Sequence, residues 1–163
     1  MAIPKTMRPH FPKGYVEYPT SLLAWDEVVP RLVDARNYWL CTVRPDGRPH
    51  AMPVWGVWTD DRLYWDGSPE TRHARNLVGN PNIAVHLESG DQVVVVEGVC
   101  SSAPKPAAAL GELLAREYTR KYEGYAPEPT TWDAGGLYVV TPHKVLAWTN
   151  FIDDPTKFLF ENA

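Results

Sequence analysis

Hydrophobic residues recur along this chain with two different periods, and the switches between them mark out its elements. From Ser21 onward, Leu22, Trp25, Val29, Leu32 and Val33 return at helical spacing, with Asp26 and Glu27 early and Asn37 as a stop. This predicts an amphipathic helix over residues 21–37. The next stretch, YWLCTVRPDGRPHAMPVWGVW, is two β-rich runs joined by Pro45-Asp46-Gly47, a turn in which glycine accepts positive φ. Pro53 has no N–H to give inside the second run, so that strand should lie at an edge or carry a bulge. Thr59-Asp60-Asp61 makes another turn and Arg62–Trp65 a short third strand, so a three-stranded meander is predicted.

Further along, NIAVHLE and QVVVVEGVCSSA read as two strands joined at Ser89-Gly90-Asp91. Residues 104–122 predict a helix opened by prolines, with Leu110, Leu114, Tyr118 and Tyr122 spaced by four and Leu113 beside them. After a loop rich in proline and glycine, LYVVTP and KVLAWTN read as a closing pair of strands. Residues 1–20 hold four prolines and no period, which predicts an extended arm. Residues 151–163 read as a polar tail carrying Phe158, Leu159 and Phe160, leaving 21–150 as the folded domain. Strands outnumber helices, and the class is α+β: a small antiparallel barrel with helical additions.

Composition narrows what such a barrel is for. At 163 residues and 44% hydrophobic content the chain is one domain with a real core. Seven tryptophans and eight tyrosines suit both packing and flat ligands. The net charge of −4 gives no overall attraction to nucleic acid or an anionic membrane, so any anion site must be a local concentration of donors. Cys41 and Cys100 form no zinc pattern and no redox pair, and both are expected as buried free thiols. No apolar run reaches spanning length and the N-terminus has no signal-type stretch, so a cytoplasmic location is expected.

The densest set of donors lies in SPETRHARNLVGNP, residues 68–81. Ser68 as N-cap, Pro69 in the first turn and Asn80-Pro81 as a stop predict a helix there. Placed about 100° apart, Ala74, Leu77 and Val78 share one face, and Arg72, Arg75 and Asn76 the opposite one. Two readings follow. The charges are a solvated outer face, or they hold an anion at a helix start, where free N–H groups and the macrodipole already favour negative charge.

Residues 38–99 place a strand, a P-D-G turn, a strand, a short strand, a basic helix opening with Thr71-Arg72-His73, then Asn80-Pro81 and another strand. In this order the chain resembles the pyridoxamine 5′-phosphate oxidase-like superfamily, flavin and deazaflavin oxidoreductases of the FMN-binding split-barrel type. The resemblance implies a six- to seven-stranded antiparallel split β-barrel with flanking helices. It also implies a homodimer with its cofactor sites at the subunit interface and a small-molecule substrate. By matching motif positions, Thr71, Arg72 and His73 would hold the cofactor phosphate, and Met52, Pro53, Val54 and Trp55 would seat the tricyclic ring. Arg75 and Asn76 would reach the phosphate or a polar cofactor tail. His73 stands where the family commonly has lysine, which makes its charge conditional on pH.

The short single-domain form resembles proteins using coenzyme F420 more than the true oxidases, because the C-terminus KVLAWTNFIDDPTKFLFENA has no arginine-rich substrate motif. F420 is therefore the expected cofactor and FMN the alternative. The deazaflavin's lactyl-oligoglutamate tail would leave past Arg44, Arg48, Arg75 and Asn76. No catalytic side chain is expected, since the cofactor carries the redox chemistry. His50, His86 and His143 sit at no metal-ligand spacing, so no metal is expected. The alternative function is a non-catalytic carrier of flavin, deazaflavin or haem.

Overall fold

The computed structural model describes residues 4–16 and 21–161. In chain order the elements are β1 (Lys5–Met7), α1 (Trp25–Asp34), β2 (Tyr38–Val43), β3 (Pro49–Val54), β4 (Val57–Thr59), β5 (Arg62–Asp66), α2 (Arg72–Gly79), β6 (Asn82–His86), β7 (Val93–Ser102), α3 (Ala108–Lys121), β8 (Leu137–Trp148) and β9 (Thr156–Leu159). The strands run β1-β9-β8-β7-β6-β2-β3, and the β4–β5 hairpin joins through β5 to β8. Every pairing is antiparallel. The α+β split barrel stands.

The split is made at β8. Its first residues, Leu137–Val140, pair with β5, its later ones, Lys144–Ala147, pair with β9, and β7 runs beside both halves. The sequence reads Pro142 as a break between two strands, but the structure keeps one bent strand. Pro142 falls at the β7–β8 irregularity opposite Gly98, where the register shifts after Glu97. A Cβ on Gly98 would stand 2.3 Å from the Thr141 carbonyl oxygen, so only glycine lets the two backbones meet this closely.

Two further departures from the sequence pattern share one cause, distant pairing. The meander does not form: among the described residues β3 pairs only with β2 and ends the sheet, which satisfies Pro53 as an edge residue, while β4 turns away to pair with β5. Gly56 is the joint, and a Cβ there would meet the Tyr64 carbonyl oxygen at 2.8 Å. The predicted arm and tail pair with each other as β1 and β9, which raises the strand number to nine. Phe158 in that tail is fully buried in the core. The rest of the predicted arm and tail, residues 1–3, 17–20 and 162–163, lies outside the described residues.

α1 spans fewer residues than predicted, with Leu32 and Val28 as its buried pair and Leu22 exposed. The main core collects Tyr38, Leu40, Trp58, Trp65, Val85, Val96, Val145 and Phe158. A second cluster under α3 gathers Tyr64, Leu114, Tyr118, Tyr122 and Trp132. Cys100 is buried and Cys41 only half-buried, because β2 lies one strand from the open edge. Among the described residues no helix is long and apolar enough to cross a membrane.

Candidate functional site

α2 packs against β2 and β3, and its docking decides which of its residues are available. It starts later than its sequence suggests: Thr71 is the N-cap, and residues 68–71 form a turn in which the Thr71 hydroxyl donates to the Ser68 carbonyl at 2.9 Å. Among the described residues no side chain caps the helix, and its first turn holds no acidic residue, so its opening N–H groups meet no counter-charge from the helix itself.

The buried face is also rotated from the predicted one. His73, Ala74, Asn76 and Leu77 turn inward, whereas Val78 is 88% exposed. Asn76, expected beside Arg72 and Arg75 on the polar face, is 2% exposed and donates through Nδ2 to the Thr42 hydroxyl on β2 at 3.0 Å. The Thr42 hydroxyl makes a polar residue admissible on the inner face. Asn76 is thus a tie between helix and sheet, while Arg72 and Arg75 stay exposed.

Two basic rings meet in this corner, within electrostatic reach of Arg44 and Arg72. The His73 ring lies 6.3 Å from the His50 ring of β3, the two planes 25° apart, and its other side meets the edge of Trp65 at 5.1 Å. Nε2 of His73 is 3.2 Å from the Thr71 hydroxyl. That hydroxyl already donates to Ser68, so it accepts here and His73 carries its hydrogen on Nε2. Burial lowers the pKa of both histidines; Arg44 and Arg72 lower His50 further, and His50 lowers His73. Both rings are therefore held toward the neutral form. Arg44 Nε and His50 Nδ1 are buried without a hydrogen-bond partner among the described residues. Such atoms are costly unless something completes them.

A phosphate fits this donor set: two guanidinium groups, two imidazoles and an uncapped helix start. Sequence reasoning set His50 aside as a core or edge histidine at no metal-ligand spacing. The signal available was its alternation with Met52 and Val54 along β3, which sends all three to one face of the strand. Arg48, in contrast, is engaged by Asp46 at 2.7 Å beside the turn whose Gly47 has φ 81°.

The remaining predicted residues lie along the open edge of the sheet. Met52 is 44% exposed although it pairs across from the buried Leu40, and Pro53 and Val54 follow it. Trp55, just past the strand, is 40% exposed and stacks at 4.5 Å on Tyr122 at the end of α3. From His50 to Trp55 the chain advances about 16 Å, so the basic corner and the tryptophan lie at opposite ends of one strip. A polar anchor leading into an exposed apolar edge can hold an elongated ligand with a phosphate at one end and a flat ring toward the other. Among the described residues no group of three His, Cys, Asp or Glu side chains is placed to hold a metal.

Comparison with known proteins agrees with this architecture. Among curated proteins no sequence matches the chain. Solved structures of similar fold include an F420 reductase, at TM-score 0.51 and 23% identity, covering 70% of this chain and 92% of that one. A FAD-binding protein of Mesorhizobium loti matches at TM-score 0.59 and 17% identity, covering 85% and 96%. A haem storage protein of Vibrio cholerae matches at TM-score 0.59 and 17% identity, covering 76% and 93%. At such identities the likeness is one of fold. The family profile described as pyridoxamine 5′-phosphate oxidase matches residues 24–149, which run from the start of α1 to the end of β8 and include the whole basic corner. The chain belongs to the pyridoxamine 5′-phosphate oxidase family.

Proposed function

We propose that this chain is a flavin- or deazaflavin-dependent oxidoreductase, with coenzyme F420 as its cofactor and FMN as the alternative. The observation that carries the reading is the basic corner, where the His50 and His73 rings lie within electrostatic reach of Arg44 and Arg72 and two buried polar atoms, Arg44 Nε and His50 Nδ1, are unpartnered among the described residues. When bound, the cofactor supplies hydride transfer to or from a flat, conjugated small molecule. The protein's part is to hold and shield. Arg72 and Arg44 grip the phosphate, and Thr71 orients His73. Met52 and Val54 offer an apolar strip for the ring, with Pro53 between them on the backbone edge. Trp55, backed by Tyr122, closes the far end of that strip.

F420 is preferred because exposed Arg75, next along α2 from the anchor, suits an acidic tail beyond the phosphate. Arg48, committed to Asp46, contributes less than its position in the sequence suggests. The exposed apolar edge of β3 supports a homodimer in which a second copy covers the ring. The carrier reading is kept alive by the fold shared with a haem storage protein.

Binding and turnover separate these readings. In direct competition F420 is expected to bind more tightly than FMN. Arg72→Ala should weaken either by about tenfold to a hundredfold, the loss of one charge-assisted bidentate contact. Reduced cofactor should pass hydride to at least one conjugated acceptor. Tighter FMN binding reverses the cofactor choice. Unchanged affinity in Arg72→Ala returns α2 to a solvated helix, and tight binding with no acceptor turned over makes the protein a carrier.

A further inference from the structure

The basic corner contains two side chains that the family motif does not supply, Arg44 and His50, and both come from the sheet side of the corner. His50 arrives from β3, His73 from α2, and their rings face each other 6.3 Å apart. We propose that His50 is a phosphate-binding residue and that the His50–His73 pair takes up one proton when the phosphate binds. This rests on the anchor reading above.

The geometry sets the stoichiometry. His73 uses Nε2–H toward Thr71, so protonation adds a hydrogen at its other ring nitrogen. His50 has its buried Nδ1 unpartnered among the described residues, so this atom too is free to gain or share a proton. The neighbours of the two rings are Arg72 from α2, Arg44 from the end of β2, the neutral indole of Trp65 from β5 and the Thr71 hydroxyl. Among the described residues, no carboxylate is among the groups that act on either ring. With burial and cations acting together, neither ring holds a proton readily in the free protein. A phosphate placed between Arg44 and Arg72 reverses that field. Because the rings are close, the first proton opposes the second, and the pair titrates as a unit taking one. A lysine in place of His73 would be charged before binding and take up none.

Calorimetry in two buffers of different ionisation enthalpy measures the proton directly. The probes are FMN against riboflavin and F420 against its phosphate-free chromophore, on the intact protein at pH about 7.5, above the ordinary histidine range. The phosphorylated member of each binding pair should take up close to one proton and the phosphate-free member none. Affinity for the phosphorylated probe should then fall by up to about tenfold per pH unit through this range. His50→Gln should lower that affinity about threefold to tenfold and flatten its pH dependence, leaving the phosphate-free probe unaffected. Equal uptake with the phosphate-free probe overturns the proposal, as does a His50→Gln variant with unchanged affinity and uptake. If the phosphate adds no affinity at all, the anchor fails and His50 with it. If it adds affinity that depends on Arg72 without proton uptake, the anchor stands and the histidine pair alone is refuted.

Discussion

The corners where α2 and α3 meet the sheet treat their buried polar atoms in opposite ways. At the end of α3, Lys121 Nζ donates to the Tyr38 hydroxyl at 3.0 Å and to the Gly56 carbonyl at 2.9 Å. The Tyr122 hydroxyl receives the Gly56 N–H at 2.9 Å and lies 2.8 Å from the Arg36 carbonyl. Asp66 accepts from the Tyr125 hydroxyl and the Trp132 indole. Only the Tyr118 hydroxyl there lacks a partner among the described residues. At α2, Arg44 Nε, His50 Nδ1 and the side-chain amide oxygen of Asn76 all do. An unmet buried polar atom costs about 1–3 kcal/mol, so a network closed by its own residues serves the fold, and the open one within a cluster of cations is where the proposed ligand would bind.

If the α3 corner is structural, breaking its joint should be the most damaging single change in either corner. Gly56→Val puts a Cβ 2.8 Å from the Tyr64 carbonyl oxygen and 2.9 Å from Leu63 Cδ1, and the backbone oxygen cannot rotate away. A loss of about 3 kcal/mol is expected, seen as a lower denaturant midpoint at constant slope. A Gly56→Val protein as stable as the parent would remove the contrast, since the clamp would then be as yielding as an open site.

The two corners should also titrate in separate windows. His50 and His73 have pKa values lowered by burial and neighbouring cations, so between their folded values and the ordinary value of about 6.5 the unfolded chain binds more protons. Stability from this corner is therefore intact above about 6.5 and falls on acidification. Lys121 is lowered by burial to about 8 against an ordinary value near 10.4, so its contribution rises with pH from about 8 toward 10. Above that, Tyr38 and Tyr118, raised by burial, oppose it. Thermal midpoints across pH should show both rises. Replacing both histidines by glutamine should flatten only the acid one, and Lys121→Met only the alkaline one. Bound FMN or F420 should raise the midpoint wherever it binds and change the slope of the acid rise alone. A ligand that shifts both windows equally would mean that the corners are not separate.

How far these features are legible in the sequence depends on whether the cause is local. The Pro45-Asp46-Gly47 turn, the edge role of Pro53 and the family order over residues 38–99 are short-range signals, and the structure carries all three. The β1–β9 pair joins residues at opposite ends of the chain, so the pattern of either segment alone contains no sign of it. Pro142 reads as a strand end until Gly98, on the neighbouring strand, is known to lie opposite it. The site divides in the same way. Thr71, Arg72 and His73 are legible as a contiguous motif, whereas His50 joins them only through the docking of α2 on β3.

The helix register of α2 is the finest of these differences and gives the smallest effect to test. Periodicity groups Val78 with Ala74 and Leu77, because an apolar residue at the edge of an arc is assigned to it by chemistry alone. The observed arc is centred on His73 and Leu77; Val78 lies about 100° beyond Leu77 and falls outside it, while Asn76 falls inside on the other flank. Val78→Lys should therefore change stability by no more than about 0.5 kcal/mol, since it removes no packed surface and adds a better helix former. Asn76→Ala, at a position that periodicity assigns to solvent, should cost about 1 kcal/mol through its lost bond to Thr42. Paired denaturation of the two variants decides the register. A large loss at Val78 with none at Asn76 would restore the predicted face, take His73 off the inward side and separate it from His50.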